Sequence, residues 1–154
     1  MKSDGNVIEG LNGLLADATV FYQKLRHYHW NVTGRSFFDL HVKFEELYGR
    51  WSISIDEIAE RVRAVGGKPL HTLRSVLESA SIQEDETTPA APEMVERLSA
   101  DLTAIHERAG TVIGMAEAGG DRGTVNMLDA LRDSIEKDRW MLRAWNEEAE
   151  RAWS

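Results

Sequence analysis

The sequence predicts a four-helix bundle whose second and third helices are joined by an extended connection carrying one short extra helix. Three observations predict it. Apolar residues recur at spacings of three and four along nearly the whole chain. Glycine and proline punctuation cuts that pattern into four long segments. No strand pattern and no internal repeat appears, which sets aside a solenoid.

The first helix is carried by Val7, Leu11, Leu14, Ala18, Phe21, Leu25, Tyr28 and Val32, and the run Thr33-Gly34-Arg35-Ser36 breaks it. Phe37, Leu40, Phe44, Tyr48, Trp51, Ile55, Ile58, Val62 and Val65 carry the second. Gly66-Gly67-Lys68-Pro69 ends that helix with glycine past the last turn and proline beyond. Residues 68–91 hold two prolines, Thr87-Thr88 and an acidic cluster, so they form the connection, with Leu73, Val76 and Leu77 marking the short helix. The third stripe, Met94, Leu98, Leu102, Ile105, Ala109, Val112 and Ala116, starts behind Pro92, a residue suited to a first helical turn. Gly119-Gly120 closes it. Asp121 can cap the fourth helix, which Leu128, Leu131, Ile135, Leu142 and Trp145 carry.

Composition bounds the function. A chain of 154 residues, 42% hydrophobic and 29% charged, is expected to form a single domain over 1–154. No apolar run is long enough to span a membrane, and no secretory signal opens the chain, so a soluble cytoplasmic protein is expected. The absence of cysteine excludes disulfides, thiol catalysis and cysteine-ligated clusters. A net charge of −8 disfavours phosphate backbones as partners.

A di-iron carboxylate site inside one bundle uses Glu-x-x-His motifs, and none of the five histidines has Glu three residues before it. The second helix offers another arrangement. His41 and Glu45 are four residues apart and so lie within about 40° of each other, and Asp56 and Glu60 repeat the spacing on roughly the same side. Each pair could clamp iron, zinc or manganese, but the pairs are roughly 22 Å apart along the helix. Two chains solve the problem. Laid antiparallel on a copy of itself about an axis near Arg50 and Trp51, the helix brings His41 to Glu60 of the partner subunit and Glu45 to the partner's Asp56, twice by symmetry. His29, at the end of the first helix, could complete each site. The plainer reading makes these carboxylates a solvated face, with Glu57 and Arg61 an ordinary helix ion pair. His27, His71 and His106 read as ordinary polar residues.

The same residues carry a resemblance. His29-Trp30-Asn31-Val32-Thr33-Gly34, followed by Leu40-His41 and Glu45, resembles the first signature of the Dps mini-ferritins, the DNA-binding proteins from starved cells. Ile55-Asp56-Glu57-Ile58-Ala59-Glu60-Arg61, then Gly66 and Pro69, is similar to the second, and Trp140-Met141-Leu142 to a late motif of that family. The resemblance implies a ferritin-like fold and a hollow homo-dodecamer with ferroxidase centres at two-fold interfaces. It maps the metal ligands to His29, His41 and Glu45 of one chain with Asp56 and Glu60 of another. It implies oxidation of Fe(II), preferentially by hydrogen peroxide, with ferric mineral stored inside. Zinc or manganese could occupy the same site. Trp30 and Trp51 then have two readings, as electron donors to a stray oxidising equivalent or as interface packing.

Two departures stand out. DNA-binding members often have a lysine-rich tail, whereas here Lys2 stands beside Asp4 and the C-terminal segment from Asn146 to Ser154 is acidic. Twelve copies at −8 each argue against DNA binding without bridging cations, although a nucleoid-binding structural protein remains the alternative. Members also line a three-fold pore with acidic residues. Here Arg122 and Asn126 stand where aspartates are frequent, leaving Glu117 and Asp121 as candidates, with Asp121 equally readable as a helix cap.

Overall fold

The computed structural model describes residues 4–153, with side chains as far as residue 147. Lys2 and the acidic side chains beyond Glu147 lie outside the described residues. Five helices account for the fold: α1 (Gly5–Asn31), α2 (Phe37–Ala64), α3 (Leu73–Ser79), α4 (Ala91–Ala118) and α5 (Arg122–Trp153). The described residues contain no strand. α1 packs along α2 and α4 along α5 as two helical hairpins, with α1 also against α4 and the short α3. No helix among the described residues is long and apolar enough to cross a membrane.

The core follows the stripes. Every residue of the α1 and α4 stripes is buried, so their apolar faces meet at the centre of the bundle. On α2, Leu40, Phe44, Trp51, Ile58 and Val62 are buried together with Leu47, while Phe37, Tyr48 and Ile55 are half-buried. Pro92 sits in the first turn of α4. α3 forms where the pattern places it, capped by the Thr72 hydroxyl on the Ser75 amide. Only its Val76 is buried; Leu73 and Leu77 stay exposed, because a helix of seven residues has one turn facing α1.

Buried aspartates fasten the connection and the helix ends. Asp17, fully buried on α1, accepts from the Ser81 amide at 2.6 Å, the Ser81 hydroxyl at 2.7 Å and Arg108 at 2.9 Å. Arg108 reaches it over Gly13, where a Cβ would stand 2.0 Å from the guanidinium. Asp85 accepts from Tyr28, Thr87 and Arg97. Asp138 of α5 holds Arg50 of α2 at 2.6 Å.

Candidate metal centre

α1 ends with the Val32 amide bonded to the Tyr28 carbonyl, and the chain turns through Gly34 at φ +99°, a conformation that a side chain resists. α2 starts three residues later, so the last turn of α1 lies against the start of α2. His29 and His41 meet there. Their rings stack 3.8 Å apart, tilted by 14°. The contact is reciprocal: His29 Nδ1 bonds the His41 carbonyl at 2.7 Å, and His41 Nδ1 bonds the His29 carbonyl at 2.8 Å. A carbonyl oxygen only accepts, so each Nδ1 carries the proton and each Nε2 of the neutral ring keeps its lone pair. That is the tautomer a metal-binding imidazole needs, held by the partner that sets ring orientation. Phe37 stacks on the His41 ring at 4.9 Å, and Tyr48 meets the His29 ring edge-on at 5.3 Å.

Glu45 follows His41 by one turn and is exposed. The Tyr48 hydroxyl donates to its Oε1 at 3.4 Å. Burial, and then the Glu45 carboxylate, hold the Tyr48 phenol above its ordinary value. Asp56 and Glu60 are exposed farther along α2. A hydrogen bond that protonated Glu60 donates to Asp56, and then the Asp56 charge, push the Glu60 carboxyl above the usual value, the mark of two carboxylates crowded together. Within one chain, the described residues bring no three or more metal-ligating side chains to one point. His29 and His41 meet near the start of α2, Glu45 stands one turn beyond His41, and Asp56 and Glu60 lie farther along the helix.

The remaining candidates take different positions. Trp51 turns into the bundle, 4% exposed and edge-on to Phe21 at 5.1 Å, so its packing is in the core and not on an outer face. Trp30 is 56% exposed, with the Arg26 guanidinium 4.9 Å from its ring. Arg61 does not pair with Glu57, as the helix spacing predicts; it donates to Asp121 at 2.6 Å and Thr124 at 3.0 Å. A buried carboxylate needs that charge more than an exposed one does. Asp121 caps α5 through the Thr124 amide at 3.1 Å and is buried, while Glu117, Arg122 and Asn126 are exposed. His27 bonds the Thr87 carbonyl at 2.7 Å, His71 stays near the Pro69 carbonyl, and His106 pairs with Glu136 at 2.9 Å. Tyr48, a stripe position in the sequence, also reaches Glu45, and its place one turn beyond that residue is the sequence signal for the contact.

Comparison with known proteins agrees in fold and length. The ferritin-like domain profile matches residues 8–152. A Brevibacillus brevis protein named DNA protection during starvation protein is 43% identical over 137 residues, covering 89% of this chain and 92% of that protein. The Dps crystal structure from Staphylococcus aureus superposes with a TM-score of 0.91 at 40% identity, over 95% of this chain and 98% of that one. A Vibrio cholerae O1 structure, described as a Dps protein in a broad superfamily of ferritin-like diiron-carboxylate proteins, gives 0.89 at 32% identity, over 94% and 97%.

Proposed function

The chain belongs to the Dps proteins of the ferritin-like family, and from that premise we propose that it is a cytoplasmic ferroxidase and iron store, one domain per chain and twelve chains per shell. Fe(II) is the substrate. It binds to Nε2 of His29 and His41 and to Glu45 of one protomer, with Asp56 and Glu60 of the partner subunit closing the site. The observation that carries this reading is the reciprocal His29–His41 contact, which commits both Nδ1 atoms to backbone and leaves both Nε2 atoms for a cation. Imidazole nitrogen and carboxylate oxygen together suit iron, and zinc or manganese also fit such donors. Carboxylates favour the harder Fe(III) product, and the small ligand set leaves room for an oxidant.

Hydrogen peroxide is the preferred oxidant in this reading. Two Fe(II) each give up one electron, the O–O bond breaks, and both oxygens finish at the level of water or hydroxide. Hydrolysis of the ferric product releases protons as mineral forms. Because both electrons reach one peroxide, no hydroxyl radical leaves the site. Exposed Trp30, beside His29 in the chain, is the better placed of the two tryptophans to supply a stray electron. Glu117, exposed in the last turn of α4, is the remaining candidate for an acidic pore, whereas Asp121 serves Arg61 and the helix cap.

Co-assembly of two damaged chains tests the split site. Glu45→Ala and Asp56→Ala shells should each lose most Fe(II) oxidation. Mixed after dissociation, they should recover about a quarter of wild-type sites, because half of the dimers are mixed and each holds one intact site. No recovery in verified mixed shells would refute the shared centre. The nucleoid-binding alternative is opposed by the net charge of −8. DNA mobility should be unchanged near neutral pH without divalent cations, and a salt-sensitive gel shift would restore that alternative.

A further inference from the structure

We propose that Tyr48 is a positioning residue for the metal centre, holding the Glu45 carboxylate and bracing the His29 ring at once; this rests on reading His29, His41 and Glu45 as ligands. The two imidazoles orient each other through backbone carbonyls. Glu45 has no such support. It is exposed on α2, and among the described residues no basic side chain pairs with it. Among the described residues its one side-chain hydrogen bond comes from Tyr48, three residues on and therefore on the same face of the helix.

The phenol is itself held in place. Its ring meets His29 of α1 at 79° and Tyr22 of α1 at 90°, with centroids 5.3 and 5.9 Å away. The Arg26 guanidinium lies 5.4 Å from the far ring, that of Tyr22. A half-buried ring wedged between two aromatic neighbours has little freedom to swing, so its hydroxyl is a fixed point beside the exposed carboxylate. Donation to Oε1 leaves Oε2 as the oxygen presented to a cation. Tyr48 thus links a ligand on α1 to a ligand on α2, the role that outer partners of metal ligands perform elsewhere.

Zn(II), which does not change oxidation state, is the probe, with affinity read by calorimetry on the assembled protein. Tyr48→Phe keeps the ring contacts and deletes the hydroxyl. It should weaken Zn(II) binding about tenfold to a hundredfold with an unchanged melting temperature. In a Glu45→Gln background the same change should have almost no further effect, because the hydroxyl acts through that carboxylate. Affinity of Tyr48→Phe equal to wild type, while Glu45→Gln and Asp56→Asn bind weakly, would overturn the positioning role and leave the ligand assignment standing. An undiminished loss in the Glu45→Gln background would overturn it too. Wild-type affinity in Glu45→Gln and Asp56→Asn would overturn both.

Discussion

Asp17 and Asp56 are both aspartates on long helices, yet they stand in opposite surroundings. Asp17 is fully buried, with Arg108 and the Ser81 and Ile82 amides around it. Asp85, Asp121 and Asp138 follow the same rule, each low in exposure and each facing an arginine, from sixty or more residues away for Asp121 and Asp138 and from α4 for Asp85. Asp56 is exposed, and the group nearest it in charge is another carboxylate, Glu60. So the carboxylates divide by partner. Those with a guanidinium have their positive charge built in and hold the fold. Asp56 and Glu60, crowded by each other, are the ones the proposed centre gives to a cation from outside.

Alanine at each kind of position should break this contrast if it is wrong. The largest expected effect is Asp17→Ala, which strips two amides of their acceptor and leaves Arg108 without its counterion. Stability should fall by about 3 kcal/mol, seen as a drop of roughly 6–12 °C in melting temperature at fixed protein concentration.

Asp85→Asn comes next, at about 2 kcal/mol near pH 7. Burial raises the Asp85 carboxyl, but bonds from Thr87, Tyr28 and Arg97 outweigh it and hold the group well below the usual carboxylate range. A lowered folded value means that the stabilisation is complete above the unfolded value of about 4 and fades as pH falls toward the folded one. Melting temperatures of wild type and variant should therefore differ at neutral pH and converge below about pH 4. A gap that persists unchanged in acid would show that packing, not charge, is what Asp85 supplies.

Glu60→Ala should have the smallest effect on the fold, leaving the melting temperature of metal-free protein essentially unchanged, because it removes a repulsive neighbour from an exposed face. Fe(II) oxidation should nevertheless be lost. A large drop in stability there would place Glu60 with the structural carboxylates.

The helices were legible because periodicity is a local property. The residues of the α1 and α4 stripes are buried as their spacing predicts. The metal-ligand candidates were legible as pairs four residues apart. What links the pairs to the rest was not. Asp17 reaches Ser81 and Arg108, and Asp85 reaches Tyr28, through contacts that no local spacing encodes. Arg61 was misread for the same reason: a partner four residues away is visible in sequence, whereas the buried Asp121 sixty residues on is not. Trp51 was placed by its position on α2, but which side of the helix the bundle covers decides that it faces Phe21. The locking of His29 and His41 through each other's carbonyls depends on how the corner at Gly34 closes, which only the fold specifies.

That locking has a consequence for how such a chain can change over generations. His29 and His41 clasp the corner between α1 and α2 and, in the proposed centre, also offer their Nε2 atoms, so a substitution at either is screened twice, once by folding and once by chemistry. In that proposed centre Glu45, Asp56 and Glu60 are screened by chemistry alone. A descendant that gave up such a centre would shed its carboxylates first and keep its histidines longest. In such a lineage, a stacked imidazole pair facing no acid would be the vestige of the lost trade.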